Sequence, residues 1–170
     1  MRLWNGWGNE DSDLTMELSD GLRALLEALV GPGTALSQAT LNEVIAKVPN
    51  TRLDDHPQIN TDPETRVRHA RGQSLPDWLE MHSGNVDTFP DGVAFPESSE
   101  QVRELLAHAK ENNLIVIPYG GGTSVVGHIN PETSDKPVLT IDMVKMNSMF
   151  SIDTESQLAT FGAGAPGPVV

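Results

Sequence analysis

The stretch "IVIPYGGGTSVVGH", residues 115–128, joins a short apolar run to three consecutive glycines. Glycine loses more backbone freedom on folding than any other residue, so three in a row need a local reason. The apolar run reads as a buried strand. Upstream, "DGVAF" (91–95) reads as a short strand, and Pro96 leads into "SSEQVRELLAHAKENN" (98–113). There Ser98 or Ser99 caps a helix with Val102, Leu105, Leu106 and Ala109 along one stripe. Strand, helix and strand with short joints make a βαβ unit, its strands parallel and its crossover right-handed. The glycines therefore fall at the carboxyl end of a parallel strand, where open α/β sheets hold ligands.

Beyond the glycines, "PVLTIDM" (137–143) reads as a further strand, and "MFSIDTESQLATFGAG" (149–164) as two strands around a turn at Asp153 to Ser156. Toward the N-terminus, Ser19 caps a helix with Leu22, Leu25, Leu26 and Leu29 on one face, and Gly31, Pro32 and Gly33 stop it. A second short helix is expected over about Thr40 to Lys47, with Leu41, Val44, Ile45 and Val48 on its apolar side. Asn50 to Pro63 is polar and broken by prolines, which reads as a loop or linker. The expected fold class is α+β. Residues 1–87 form an N-terminal helical and loop region, and residues 88–170 the domain built on the βαβ unit.

A chain of 170 residues suits one ordinary domain with a real core. A content of 38% hydrophobic and 21% charged residues is that of a soluble, folded protein. The net charge of −13 disfavours binding to nucleic acid or anionic membranes, both of which need positive charge. With no cysteine there is no disulfide, thiolate nucleophile or cysteine-bound metal, and a cytoplasmic protein is expected. The histidines at 56, 69, 82 and 108 lack metal-ligand spacing, so no metal is expected. His108 falls between apolar helix positions and is expected to be half-exposed.

Against this acidic background Arg66, Arg68 and Arg71 cluster in "PETRVRHARGQSLPDWLEMHSG" (63–84). One reading is a surface stretch pairing with carboxylates; the other is an anchor for an anionic group. Trp78 is expected to pack against this segment.

The glycine run itself fits two phosphate loops poorly. A Walker A loop needs Gly-Lys-Ser/Thr, and Gly122 is followed by Thr123. In a Rossmann fingerprint Gly120 and Gly122 supply the first two glycines, but Val125 stands where the third belongs. The following "VVGHINPETSDKP" cannot form the required long helix. Two readings remain: a tight turn without a ligand, or a nest whose successive N–H groups converge on an anion, with Thr123 and Ser124 adding hydroxyls. Asp142 and Asp153 read as backbone caps or turn residues.

The stretch "FPDGVAFPESSEQVRELLAHAKENNLIVIPYGGGTSVVGH" (89–128) resembles the first lobe of the two-lobed PCMH-type FAD-binding domain of the vanillyl-alcohol-oxidase superfamily. "RHARGQSLPDW" and "RLWNGWG" are similar to a narrower branch, the alkylglycerone-phosphate synthases and bacterial FAD-linked oxidases. The resemblance implies that Pro118, Tyr119, Gly120, Gly121, Gly122, Thr123 and Ser124 wrap the pyrophosphate of FAD. Gly127 would let the chain turn away beneath the cofactor. Thr123 occupies the position at which many members carry a flavin-linked histidine, so the FAD is expected to be non-covalent and His128 an ordinary loop residue. "ATFGAGAPGP" (159–168) also matches, placing Gly162 and Gly164 near the flavin.

The family's domain runs past Val170 into a second lobe and a cap that holds the small-molecule substrate and the acid/base residues. No catalytic residue is therefore expected in this chain, which reads as an N-terminal fragment, inactive alone, of an FAD-dependent synthase-like enzyme or oxidoreductase. The alternatives are an FAD-linked 2-hydroxyacid dehydrogenase or oxidase of D-lactate or glycolate type, and a non-catalytic binding or interaction module. An unpaired sheet edge would make the isolated chain marginally stable or self-associating.

Overall fold

The computed structural model describes residues 2–11, 17–35 and 37–167. Helix α1, Asp20–Val30, starts where Ser19 Oγ accepts the Leu22 N–H at 3.3 Å and stops at Gly31, whose φ is +88°. Its leucines share a face as the periodicity requires, yet α1 buries none of its residues, and Leu25 and Leu29 are 53% and 70% exposed. Helix α2, Leu41–Ile45, is shorter than expected. It opens with a reciprocal box: the Thr40 N–H donates to Glu43 at 2.7 Å, and Glu43 N–H to the Thr40 hydroxyl at 3.3 Å.

Asn50 to Pro63 is not wholly loop, because it contains strand β1, Ile59–Asn60. Helix α3, Pro63–Arg68, has Asp62 accepting from Thr65 N at 2.9 Å and proline in the first turn, where its missing N–H costs nothing. Helix α4, Leu75–Ser83, begins with a Ser74–Asp77 box and ends at Gly84, whose φ of +71° is the left-handed cap. Strand β2 is Gly92–Ala94. Helix α5, Ser99–Glu111, is capped by Ser98 rather than Ser99. Strands β3, Ile115–Tyr119, and β4, Val138–Asp142, follow, with a 3-10 turn at Met143–Lys145. The hairpin of β5, Met149–Asp153, and β6, Leu158–Phe161, turns where Asp153 accepts from Glu155 N and Ser156 N at 3.0 and 3.1 Å.

The main sheet has the order β1-β2-β4-β3. Both β2 and β3 run parallel to β4 and so to each other, but they are not neighbours: β4 fills the slot between them. All five β4 residues are buried, as befits a central strand covered on both faces. β1 closes one edge antiparallel to β2.

Leu105 and Ala109 of α5 face the sheet, where Leu105 packs with Ala94, Leu139 and Ile141, whereas Leu106 faces outward. A second cluster gathers Val44, Val67, Ala70, Met81, Val86 and Phe89, with Trp4 and Trp78 against it. It binds α2, α3 and α4 into one small layer beside the carboxyl ends of β3 and β4. No helix among the described residues is long and apolar enough to cross a membrane.

Candidate functional site

The glycine loop leaves the end of β3 with its outward face bare. Pro118, Gly120, Gly121 and Thr123 are exposed, Ser124 is partly so, and Tyr119 and Gly122 are buried. A Cβ added at Gly120 would meet nothing within 4 Å, so naked backbone borders open space there. Gly122 is glycine for a different reason. Its φ is +65°, and a Cβ on it would lie 2.0 Å from the Tyr119 hydroxyl, whose ring folds back under the loop. Gly127, at φ +76°, turns the exit of the loop, and His128 Nδ1 lies 3.2 Å from Ser124 Oγ.

The segment between α3 and α4 pins this exit. Gln73 N–H donates to the Ser124 carbonyl at 2.6 Å, and a Cβ on Gly72 would come within 2.3 Å of the same oxygen. Gly72 N–H donates to Asn130 Oδ1 at 2.9 Å, and Asn130 Nδ2 donates to buried Asp77 at 2.7 Å. Asp77 thus serves both the start of α4 and the loop's exit.

Beneath the glycines lies a cavity of about 390 Å³, bordered by Arg2, Arg68, His69, Tyr119, Gly120, Gly121, Asp142 and the Ala163–Pro166 turn. Buried His69 spans its floor: Nδ1 is 2.7 Å from the Thr65 carbonyl and Nε2 is 3.0 Å from Asp142 Oδ2. The Thr65 carbonyl can only accept, so Nδ1 donates in that bond. Asp142 also caps the 3-10 turn, accepting Val144 N–H at 2.9 Å through its other oxygen. The His69 and Tyr119 rings lie 4.6 Å apart. Burial pushes the Tyr119 phenol above its ordinary value, against the pull of the Arg2 guanidinium.

The arginine cluster is not a surface stretch, because Arg66 and Arg71 are buried. Arg66 donates to the carbonyls of Pro90 at 2.6 Å and Pro49 at 2.7 Å, and burial pulls its value down. Arg71 holds Glu80 at 2.6 Å, Asp87 at 2.9 Å and the Thr88 carbonyl at 2.9 Å. Arg68 pairs with Glu64 at 2.9 Å and Glu10 at 3.2 Å. The pairing reading holds for Arg68 and Arg71, whose guanidinium groups reach out to the exposed carboxylates of Glu64, Glu10, Glu80 and Asp87.

Gly162 and Gly164 permit close backbone approach. Added Cβ atoms would lie 2.0 Å from the Met146 carbonyl oxygen and 1.7 Å from that of Met143. The turn after β6 is thereby drawn against the 3-10 turn, where it forms the cavity's far wall. His56 and His108 face each other at 4.5 Å, and His108 is half-buried. No cluster of three or more His, Asp or Glu suited to a metal occurs among the described residues.

His69, Asp77, Asn130 and Arg2 emerge only from the structure. The Ser74-x-x-Asp77 box was the one local sign available, marking a helix start rather than a site.

Exposed glycine backbone, neighbouring hydroxyls, an open cavity and a nearby guanidinium suit a polyanionic ligand lying along the chain. Residues 90–170 match the family described as "FAD binding domain". Its cofactor is FAD, and the bare loop above the cavity has the donor set its diphosphate needs. The chain is 29% identical over 199 residues to an alkyldihydroxyacetonephosphate synthase of Dictyostelium discoideum, covering 97% of this chain and 33% of that protein. A solved structure of an alkyldihydroxyacetonephosphate synthase superposes with a TM-score of 0.77 at 25% identity, covering 99% of this chain and 37% of that one. A mitochondrial D-lactate dehydrogenase (cytochrome) of Saccharomyces cerevisiae is 32% identical over 90 residues, 52% of this chain and 15% of that protein. The chain thus spans about a third of the length of the synthase relatives.

Proposed function

We propose that the chain serves an FAD-dependent enzyme of the alkylglycerone-phosphate synthase kind, holding the cofactor's diphosphate on Pro118 to Ser124. The observation that carries this reading is the open backbone at Gly120, beside exposed Gly121, above a cavity in a fold shared with a synthase along 99% of the chain. The Gly120 to Ser124 N–H groups and the Thr123 and Ser124 hydroxyls bind the anion. The Ala163–Pro166 turn and Tyr119 bound the space beside it. When bound, FAD supplies the flavin chemistry, and the chain's own residues orient it. The substrate and the acid/base groups are assigned to no residue of this chain.

A second reading is an FAD-linked D-lactate-type dehydrogenase, favoured by the dehydrogenase similarity but over a little more than half the chain. The exposed Met149, Phe150, Ile152 and Leu158 of the β5–β6 hairpin support self-association of the isolated chain. Sedimentation would reveal it, and a monodisperse monomer would oppose it.

FAD titration followed by flavin fluorescence tests the main reading, with Gly121→Asp as the control. Saturable binding that the carboxylate abolishes is expected; absence of binding, or binding unaffected by the carboxylate, overturns it. Bleaching of the bound flavin by D-lactate under anaerobic conditions favours the dehydrogenase reading.

A further inference from the structure

The cavity below the glycine loop is bordered by four basic side chains: Arg2, Arg68, His69 and Arg71. Three are already matched to carboxylates. Arg68 pairs with Glu64 and Glu10, Arg71 with Glu80 and Asp87, and His69 with Asp142. Arg2 has no carboxylate partner among the described residues. Its guanidinium donates to the Gly121 carbonyl, and a Cβ placed on Gly122 would sit 2.9 Å from Arg2 Nη2. In a chain of net charge −13, this is a positive charge that no carboxylate among the described residues neutralises, set against the anion cradle.

Its position is built rather than incidental. Residues 2–9 form a short strap: Arg2 and Asn9 bridge antiparallel, and Leu3 N–H donates to the Gly8 carbonyl at 3.0 Å. Arg68 Nη1 holds the Arg2 carbonyl at 2.8 Å while its Nη2 holds Glu10 at 3.2 Å, so one side chain fastens both ends. Trp4 is set into the Val44–Val67–Met81 cluster beneath. The strap carries Arg2 to the loop across 119 positions of sequence.

We infer that Arg2 is a cofactor-binding residue, its guanidinium supplying the countercharge to the FAD diphosphate held by the glycine N–H groups. The inference rests on the proposed role of the PYGGGTS loop. A guanidinium presents five donors in a planar fork, so its contacts with Gly121 and the Tyr119 hydroxyl leave others free for phosphate oxygens. Backbone N–H groups contribute partial charges alone, and a full positive charge adds long-range attraction that salt weakens.

The test measures FAD affinity of the 170-residue chain across a salt series for wild type, Arg2→Lys, Arg2→Gln and Gly121→Asp, with circular dichroism verifying the fold of each. Arg2→Gln keeps an N–H donor for Gly121 but loses the charge, and it is expected to bind FAD about tenfold more weakly with a flatter salt dependence. Arg2→Lys is expected to stay within about threefold of wild type, its salt dependence retained. Riboflavin, which has no phosphate, should bind all three Arg2 forms alike. Wild-type affinity and salt dependence in Arg2→Gln, alongside loss of binding in Gly121→Asp, would overturn the role of Arg2 while leaving the loop's role intact. Equal weakening in Arg2→Lys and Arg2→Gln would also overturn it, since the charge would then be irrelevant. Failure of wild type to bind FAD would remove the loop's role and the inference together.

Discussion

Asp91 and Arg52 meet at 2.7 Å across a separation of 39 residues, and this pair ties the N-terminal segment to the mouth of the sheet. Asp91 is buried, takes a second contact from Arg52 Nε at 2.9 Å, and accepts the Val138 N–H at 2.7 Å. Arg52 continues to the Ser134 and Lys136 carbonyls at 2.7 and 3.0 Å. One carboxylate thus locks the start of β4 beside β2 and fixes the segment leading into β1.

Removing that carboxylate by Asp91→Ala should cost about 2 kcal/mol, less than a fully buried pair because Arg52 can turn to solvent. The pH dependence has a definite sign. Burial pushes the Asp91 carboxyl up, but Arg52 and the Val138 and Arg52 N–H groups outweigh it and hold it below its ordinary value. Its contribution is present above the ordinary carboxylate range and is lost as pH falls through the lowered value. Urea unfolding between about pH 3 and pH 7 should give a shallower acid limb in Asp91→Asn than in wild type. An identical limb would exclude Asp91 as its source.

Gly120 and Gly122 should respond oppositely to alanine. Gly120→Ala meets open space, so the fold should keep its stability while FAD affinity drops about tenfold as the methyl group blocks close approach. Gly122→Ala puts a Cβ against the Tyr119 hydroxyl at positive φ and should destabilise the chain by about 2 kcal/mol. Thermal unfolding paired with FAD titration separates the two. Equal effects on both measurements would contradict the division of roles.

The βαβ unit and the site of the loop were legible because both are local: an apolar run, a helical stripe and adjacent glycines. The order of the sheet was not, since nothing near residues 92–119 announces that β4 enters between β2 and β3. The proline before Glu64 read as part of a broken loop, although Asp62 beside it is a helix cap. Arg66 and Arg71 looked like surface residues because arginine seldom leaves water, and their acceptors Pro90, Glu80 and Asp87 lie 9 to 24 residues away. His69 finds Asp142 across 73 residues, a partnership with no trace in local spacing.

The orientation of α5 is tested by neighbouring leucines. Leu105 is fully buried and Leu106 is 47% exposed. Leu105→Ala should cost about 3 kcal/mol, from lost burial plus the cavity left behind, whereas Leu106→Ala should stay within about 0.5 kcal/mol of wild type. Chemical denaturation gives both values, and similar losses for the two would mean that α5 is rotated on the sheet.

Gly164→Ala joins stability to the site. A Cβ there would fall 1.7 Å from the Met143 carbonyl oxygen and 2.5 Å from its carbon, too close for any rotamer change to relieve. The Ala163–Pro166 turn must then move away from the 3-10 turn, carrying with it the far wall of the cavity. Gly164 N–H, which donates to the Met146 carbonyl at 3.0 Å, would be pulled out of reach as well. Unfolding should show a loss of about 2 kcal/mol, and FAD titration a weakening beyond that of Leu105→Ala, a residue that does not border the cavity. Wild-type FAD affinity in a destabilised Gly164→Ala protein would assign the glycine to packing alone.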